Sequence, residues 1–155
     1  MVKATRPRPS WVVSLLALTA ACQVPPQDTS LQPDAVLRAE LGLTLEDRVH
    51  RVRLTGGGAE QADPSLVAIE PGAYVEFVTT DWLIHEVIFE VDSLSAEQHD
   101  FLRRTDQLES PPLLERDSRY VLAFEGAPRG RYAYRLEGNG RSGRGAIVVS
   151  PPAPR

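Results

Sequence analysis

The sequence predicts a mainly β fold, a β-sandwich interrupted by one helix. Three observations lead there. Seven short segments between Val49 and Val149 read as strands, and three of them, Val49 to Leu54, Ala73 to Thr79 and Leu83 to Val91, alternate with a period of two. Glycine or proline punctuation bounds most of them, at Gly56-Gly57-Gly58, Pro71-Gly72 and Gly126 to Gly130. A single stretch, from Ser95 to about Gln107, carries helical spacing instead. Many short strands around one helix favour a sandwich over a bundle or an alternating α/β chain.

The chain opens on an export signal. Lys3, Arg6 and Arg8 make a positive start with no acidic residue near it, and Trp11 to Ala21 follows as an apolar run. That run is too short to span a bilayer, which takes roughly 20 residues as a helix. Leu18-Thr19-Ala20-Ala21-Cys22 then resembles the bacterial lipobox, in which the cysteine is lipidated and the chain is cut just before it. Thr19 stands where that pattern usually has leucine. Two readings follow: residues 1–21 as a lipoprotein signal with Cys22 as the lipid attachment site, or an ordinary signal with Cys22 as a chance thiol. The first is preferred, and it implies an exported, membrane-anchored lipoprotein facing the periplasm or the cell surface.

Cys22 is the only cysteine, so no disulfide and no internal thiolate exist beyond it. Losing Lys3, Arg6 and Arg8 takes the 17 basic residues to 14 against 21 acidic ones, a net charge of −7. An acidic surface repels phosphate backbones, and no basic, aromatic-interleaved stretch offsets it, so nucleic acid is not an expected partner.

Beyond the signal, residues 22–47 read as a tether with one short helix. Gln23 to Asp34 has little to bury. Asp34 to Gly42 fits a helix with Asp34 as cap, Leu37 and Leu41 on one face and Gly42 as stop. The folded domain is expected over residues 48–150, with 151–155 as a C-terminal tail. Val49 to Leu54 places His50, Val52 and Leu54 on one face. Leu66 to Ile69 is a short strand; Ala73 to Thr79 pairs Val75 with Phe77. Leu83 to Val91 puts His85, Val87, Phe89 and Val91 together. Ser95-Ala-Glu-Gln98 is a capping box that starts the helix, and Pro111-Pro112 forbids its continuation. Arg119 to Phe124, Arg131 to Leu136 and Gly145 to Val149 are the last strands.

Two apparent motifs fail on context. Gly138-Asn-Gly140-Arg-Ser-Gly143 matches GxGxxG but leads into a strand, where a dinucleotide site needs a helix N-terminus. Ser142 lies next to Gly143, which breaks the nucleophile-elbow spacing. No catalytic residues are assigned, and an enzyme is not expected.

Several strands share a further pattern. Pro71-Gly-Ala-Tyr-Val75-Glu-Phe77 is followed by His85-Glu-Val87-Ile-Phe89. Then come Pro128-Arg-Gly130-Arg-Tyr132-Ala-Tyr134-Arg-Leu136-Glu-Gly-Asn139-Gly140 and Gly145-Ala-Ile147-Val-Val149. In order and spacing these resemble the cupredoxins, the small blue-copper proteins of the plastocyanin and azurin type. The resemblance implies a Greek-key β-sandwich and, in the family, copper held by two imidazoles, a thiolate and a weak thioether. It places His85 at the first imidazole, Leu136 at the thiolate, Asn139 at the second imidazole and Arg144 at the thioether. Leucine has no lone pair and a guanidinium repels a cation, so copper is not an expected cofactor. The chain reads as a divergent member without blue-copper electron transfer.

His85 then has two readings: a strand-end residue hydrogen-bonded in the rim of the core, or one ligand of a weak non-thiolate metal site with His50, His99 or a carboxylate. The arginines Arg135, Arg141 and Arg144, with Asn139, also have two. They are a solvated loop paired with carboxylates such as Glu137, or a recognition loop for an anionic group. The functional expectation is a non-enzymatic binding module contacting another envelope protein or an anionic ligand, with the membrane reached only through the lipid. Weak copper handling through His85 is the alternative.

Overall fold

A computed structural model describes residues 29–151. The expected export signal, Cys22 and the tail from 152 onward lie outside the described residues. Eight strands form two four-stranded sheets that face each other. The first sheet is ordered β2-β1-β4-β6, from Gln61–Asp63, Val49–Thr55, Tyr74–Thr79 and Arg119–Ala123. In the second the order is β3-β8-β7-β5, from Leu66–Ile69, Gly143–Val149, Gly130–Gly138 and His85–Phe89. β1 runs parallel to β4, and β3 parallel to β8; the other pairings are antiparallel.

Alternation decides what each sheet buries. Val52, Leu54, Val75, Phe77 and Leu122 face in from the first sheet, and Val87, Phe89, Tyr132, Tyr134, Leu136 and Ile147 from the second. Phe77 and Phe89 both meet Tyr134 edge-on, at 5.2 and 6.2 Å between ring centres. Edge-to-face rings are worth about 0.5–1.5 kcal/mol beyond their burial. Tyr132 donates its hydroxyl to the Pro128 carbonyl at 2.6 Å, tying β7 to the turn before it. Val91 does not continue the β5 face: the strand ends at Phe89, and Val91 opens a 3-10 turn with 47% exposure.

The inserted helix, α2 (Ala96–Arg104), starts on the expected capping box, with Ser95 and Gln98 exchanging side-chain and backbone contacts. It stops a turn earlier than its periodicity suggests, because Gln107 is needed elsewhere. The buried Gln107 amide accepts from the Ala123 N–H and donates to the Ala123 carbonyl, capping the free edge of β6. Residues 109–113 then bridge to β5, where His85 and Leu113 exchange backbone bonds. This one segment therefore covers an edge of both sheets, which protects against edge-to-edge pairing.

The short N-terminal helix, α1 (Ala35–Leu41), is part of the folded body. Asp34 caps it through the Val36 and Leu37 N–H groups, and Gly42 ends it in the left-handed conformation. Leu37 is buried with Leu43 and Val49 on the outer face of the first sheet. Leu41, expected beside Leu37, is half exposed; Leu43, past the turn, fills that place instead. Below α1, Glu76 is fully buried between Arg51 (2.6 Å) and Arg119 (2.9 Å), and Arg119 also reaches Asp34 at 2.7 Å.

Candidate functional site

One end of the sandwich gathers β5's first residue, the β7–β8 turn and the loop after β1. His85 opens β5 and is fully buried. Its Nδ1 lies 2.6 Å from Glu60 Oε2, with both side chains inaccessible, and its Nε2 lies 2.8 Å from Asp81 Oδ1. Each contact needs one proton between nitrogen and oxygen. The triad thus carries a single net negative charge, as an imidazolium between two carboxylates or as a neutral imidazole with one carboxylic acid.

Local sequence explains each placement. Asp81 closes an Asx turn on the Leu83 N–H at 2.9 Å and accepts from the Gly56 N–H at 2.8 Å. Glu60 ends the glycine run after β1; its N–H donates to the Arg141 carbonyl at 2.8 Å, and its Oε1 accepts from the Gly140 N–H at 3.3 Å. A Cβ at Gly143 would overlap the Glu60 carbonyl, and one at Gly138 would overlap the Glu60 carboxylate and the Ile84 carbonyl. The glycines are therefore required by the close approach of these two loops around Glu60.

Burial pushes the Asp81 carboxyl up, yet the Gly56 N–H, His85 and the Leu83 N–H outweigh it and hold it below the ordinary carboxylate range. A depressed carboxyl stabilises the fold above its unfolded pKa, about 3.9 for aspartate, and that stability is lost as pH falls through the lower folded value. Asp81→Asn is accordingly expected to flatten the loss of melting temperature between about pH 5 and pH 2. Superimposable slopes for the two proteins would show that Asp81 carries no such linkage.

The residues expected around His85 do not all arrive there. Leu136 is fully buried on the inner face, opposite Val87 and two residues before Gly138, the partner of His85. Asn139 is exposed, and its carbonyl oxygen accepts from the Ile84 N–H at 3.0 Å. Arg144 corrects the expected position: β8 begins at Gly143, so Arg144 lies on the strand, opposite Arg135 on the outer face, where it pairs with Glu90 at 3.1 Å. Arg135 pairs with Glu137 at 3.0 Å. The β7–β8 loop is thereby residues 139–142, and Arg141 is its only arginine.

Nor do the other imidazoles approach. His50 bonds Glu70 at 3.1 Å on the first sheet, and His99 sits on α2 beside Asp100. Among the described residues no group of three or more His, Cys, Asp or Glu is arranged to hold a metal ion. Asp81 and Glu60 meet opposite nitrogens of His85, so they cannot share one ion with it. A thiolate-centred copper set does not fit these residues.

Glu60 and Asp81 were not singled out from the sequence. Asp81 stands four residues before His85, a weak signal. Glu60 had none, because only the folding of the β1–β2 loop brings it to the imidazole.

No protein-family model matches the chain, and no curated protein matches it. Solved structures do. The copper-containing nitrite reductase of Thermus scotoductus is 24% identical, over 83% of this chain and 28% of that one, with a TM-score of 0.50. A purple cupredoxin from Nitrosopumilus maritimus is 20% identical over 65% of this chain and 99% of its own, with a TM-score of 0.42. An oxidised amicyanin variant is 17% identical over 66% and 82%, with a TM-score of 0.45. No described helix is long and apolar enough to cross a membrane. Two facing four-stranded sheets, together with the likeness to the nitrite reductase, give this chain the cupredoxin fold, built around a histidine held by carboxylates.

Proposed function

We propose that this chain is an exported, membrane-tethered binding module that uses a cupredoxin-fold domain without a blue-copper centre and without catalysis. The observation that carries the reading is the commitment of both His85 nitrogens to internal carboxylates. Those bonds make His85 a structural post for three loops, and they leave no imidazole lone pair for a metal. Leu136, buried against the same core, supplies no donor in place of a thiolate. The surface just outside this post, the 139–142 loop with Arg141, is the contact for an envelope protein or an anionic ligand.

Copper(II) added to the purified mature protein tests the reading. The expected result is no intense blue charge-transfer band and no rise in melting temperature. A specific ligand at a hundredfold excess over its dissociation constant would add about 2.7 kcal/mol of stability. A stoichiometric gain of that size, abolished by His85→Ala in a still-folded protein, would replace this reading with metal handling through His85, for which Glu60 must leave Nδ1.

A further inference from the structure

The same end of the sandwich carries an apolar row. Ile84 lies one residue before His85 and so points to the opposite face of β5. By the register of the flanking pairs its neighbours across the sheet are Leu114 on one side and Asn139 on the other. Ile84 is 42% exposed and Leu114 57%. Trp82, thrown outward at the tip of the Asp81 turn, is 72% exposed. The charges beside the row are mixed: Arg141 and Arg116 with Glu115, all exposed.

The chain also approaches the sheet near this end. Asp34 bonds Arg119, which stands opposite Val78 near the His85 side of β4, and pairs more distantly with Arg51. From there α1 runs away from that end, since Leu41 and Leu43 line a hollow with Tyr74 and Ala123 at the other. Six residues separate Cys22 from Thr29, where the described chain begins. Even fully extended, that connection reaches only about 25 Å.

We infer that Trp82, Ile84 and Leu114 seat this end of the domain on the lipid surface, with Arg141 meeting headgroup phosphates. The inference rests on reading Cys22 as the anchor and the His85 end as the binding surface, and it names the anionic ligand of that surface. A short connection holds the tip close to the bilayer at high effective concentration. Tryptophan and short apolar side chains are suited to the interface, where the ring body is buried and the N–H stays wet. Apolar contact rather than charge drives attachment, so it is insensitive to salt, in contrast to a polybasic surface.

Trp82 is the only tryptophan left once residues 1–21 are removed, because the other is Trp11. The mature lipid-modified chain is reconstituted into phosphatidylcholine vesicles carrying brominated acyl chains. Trp82 emission is expected to shift blue and to be roughly halved relative to unbrominated vesicles, as for an interfacial indole. Ile84→Glu with Leu114→Glu, checked for folding by its melting curve, abolishes the quenching. Unquenched emission from a chain whose Cys22 lipid is verified by mass overturns the inference. Should the native Cys22 prove unmodified, the anchor reading fails by itself. Coupling that thiol to a maleimide phospholipid then asks the same question, and quenching there upholds the tip while its absence overturns it. Shielding of Trp82 from aqueous iodide in envelope membranes, but not in pure lipid, assigns the row to a protein and also overturns the inference.

Discussion

Glu60→Ala is expected to cost about 3–5 kcal/mol of stability, the range for removing one partner of a buried ion pair. His85 loses its Nδ1 contact in a site that water does not reach, and the Gly140 N–H loses its acceptor. For a domain of this length each kcal/mol moves the melting temperature by a few degrees, so a fall of roughly 10–20 °C is expected. The glycine loops pack on the Glu60 backbone as well, and the Glu60–Arg141 backbone bond survives the substitution, so the end loosens rather than dissolves. Urea unfolding of Glu60→Ala beside Glu137→Ala, a half-buried carboxylate at the same end, makes the comparison. Equal midpoints would mean that the triad contributes nothing and that His85 is indifferent to its carboxylate.

Glu76→Ala is expected to be comparably severe, about 3–5 kcal/mol, for a different region of the molecule. Glu76 is fully buried on the outer face of the first sheet, and two arginines lose their common partner when it goes. Arg119 also holds Asp34, so α1 should loosen with it, and cleavage by a protease within residues 34–43 should accelerate. Asp34→Ala removes only a cap and a surface ion pair, at about 1 kcal/mol. The combination Glu76→Leu with Arg51→Met and Arg119→Met should recover much of the loss, because apolar replacement of all three partners leaves none of their charges unpaired. A Glu76→Ala protein that unfolds at the parent's urea midpoint, with α1 still protected, would show that the network is ornamental and that the Leu37 contact alone docks the helix.

Both predictions concern carboxylates that no strand pattern advertises. Alternation grouped Val52 with Leu54, Val75 with Phe77 and Val87 with Phe89, and each of these pairs turns inward. It marks Glu76 as outward, which is also correct; what alternation omits is that an outward residue can be buried, as Glu76 is where Arg51 and Arg119 pair with it. Arg144 illustrates the complementary error. Counting from the glycines extended the β7–β8 turn too far, because glycine in this chain serves close packing on Glu60 as well as turning, so Gly143 already lies within a strand.

Some properties of this protein follow from the linear order of residues alone. One cysteine, placed at position 22, bars any thiolate from the domain, whatever its fold. The recurring period of two, the capping box at Ser95 and the order of the motifs around His85 lead to a cupredoxin-like sandwich, since strand faces and helix caps depend on neighbours a few residues away. Other properties are set by tertiary structure. Glu60 is 25 residues from His85 and Glu76 is 43 from Arg119, and only chain reversal through loops makes each pair a contact. Local pattern carries no information about such meetings. Their strength comes from exclusion of water, which is created by the packed fold and by no segment of it.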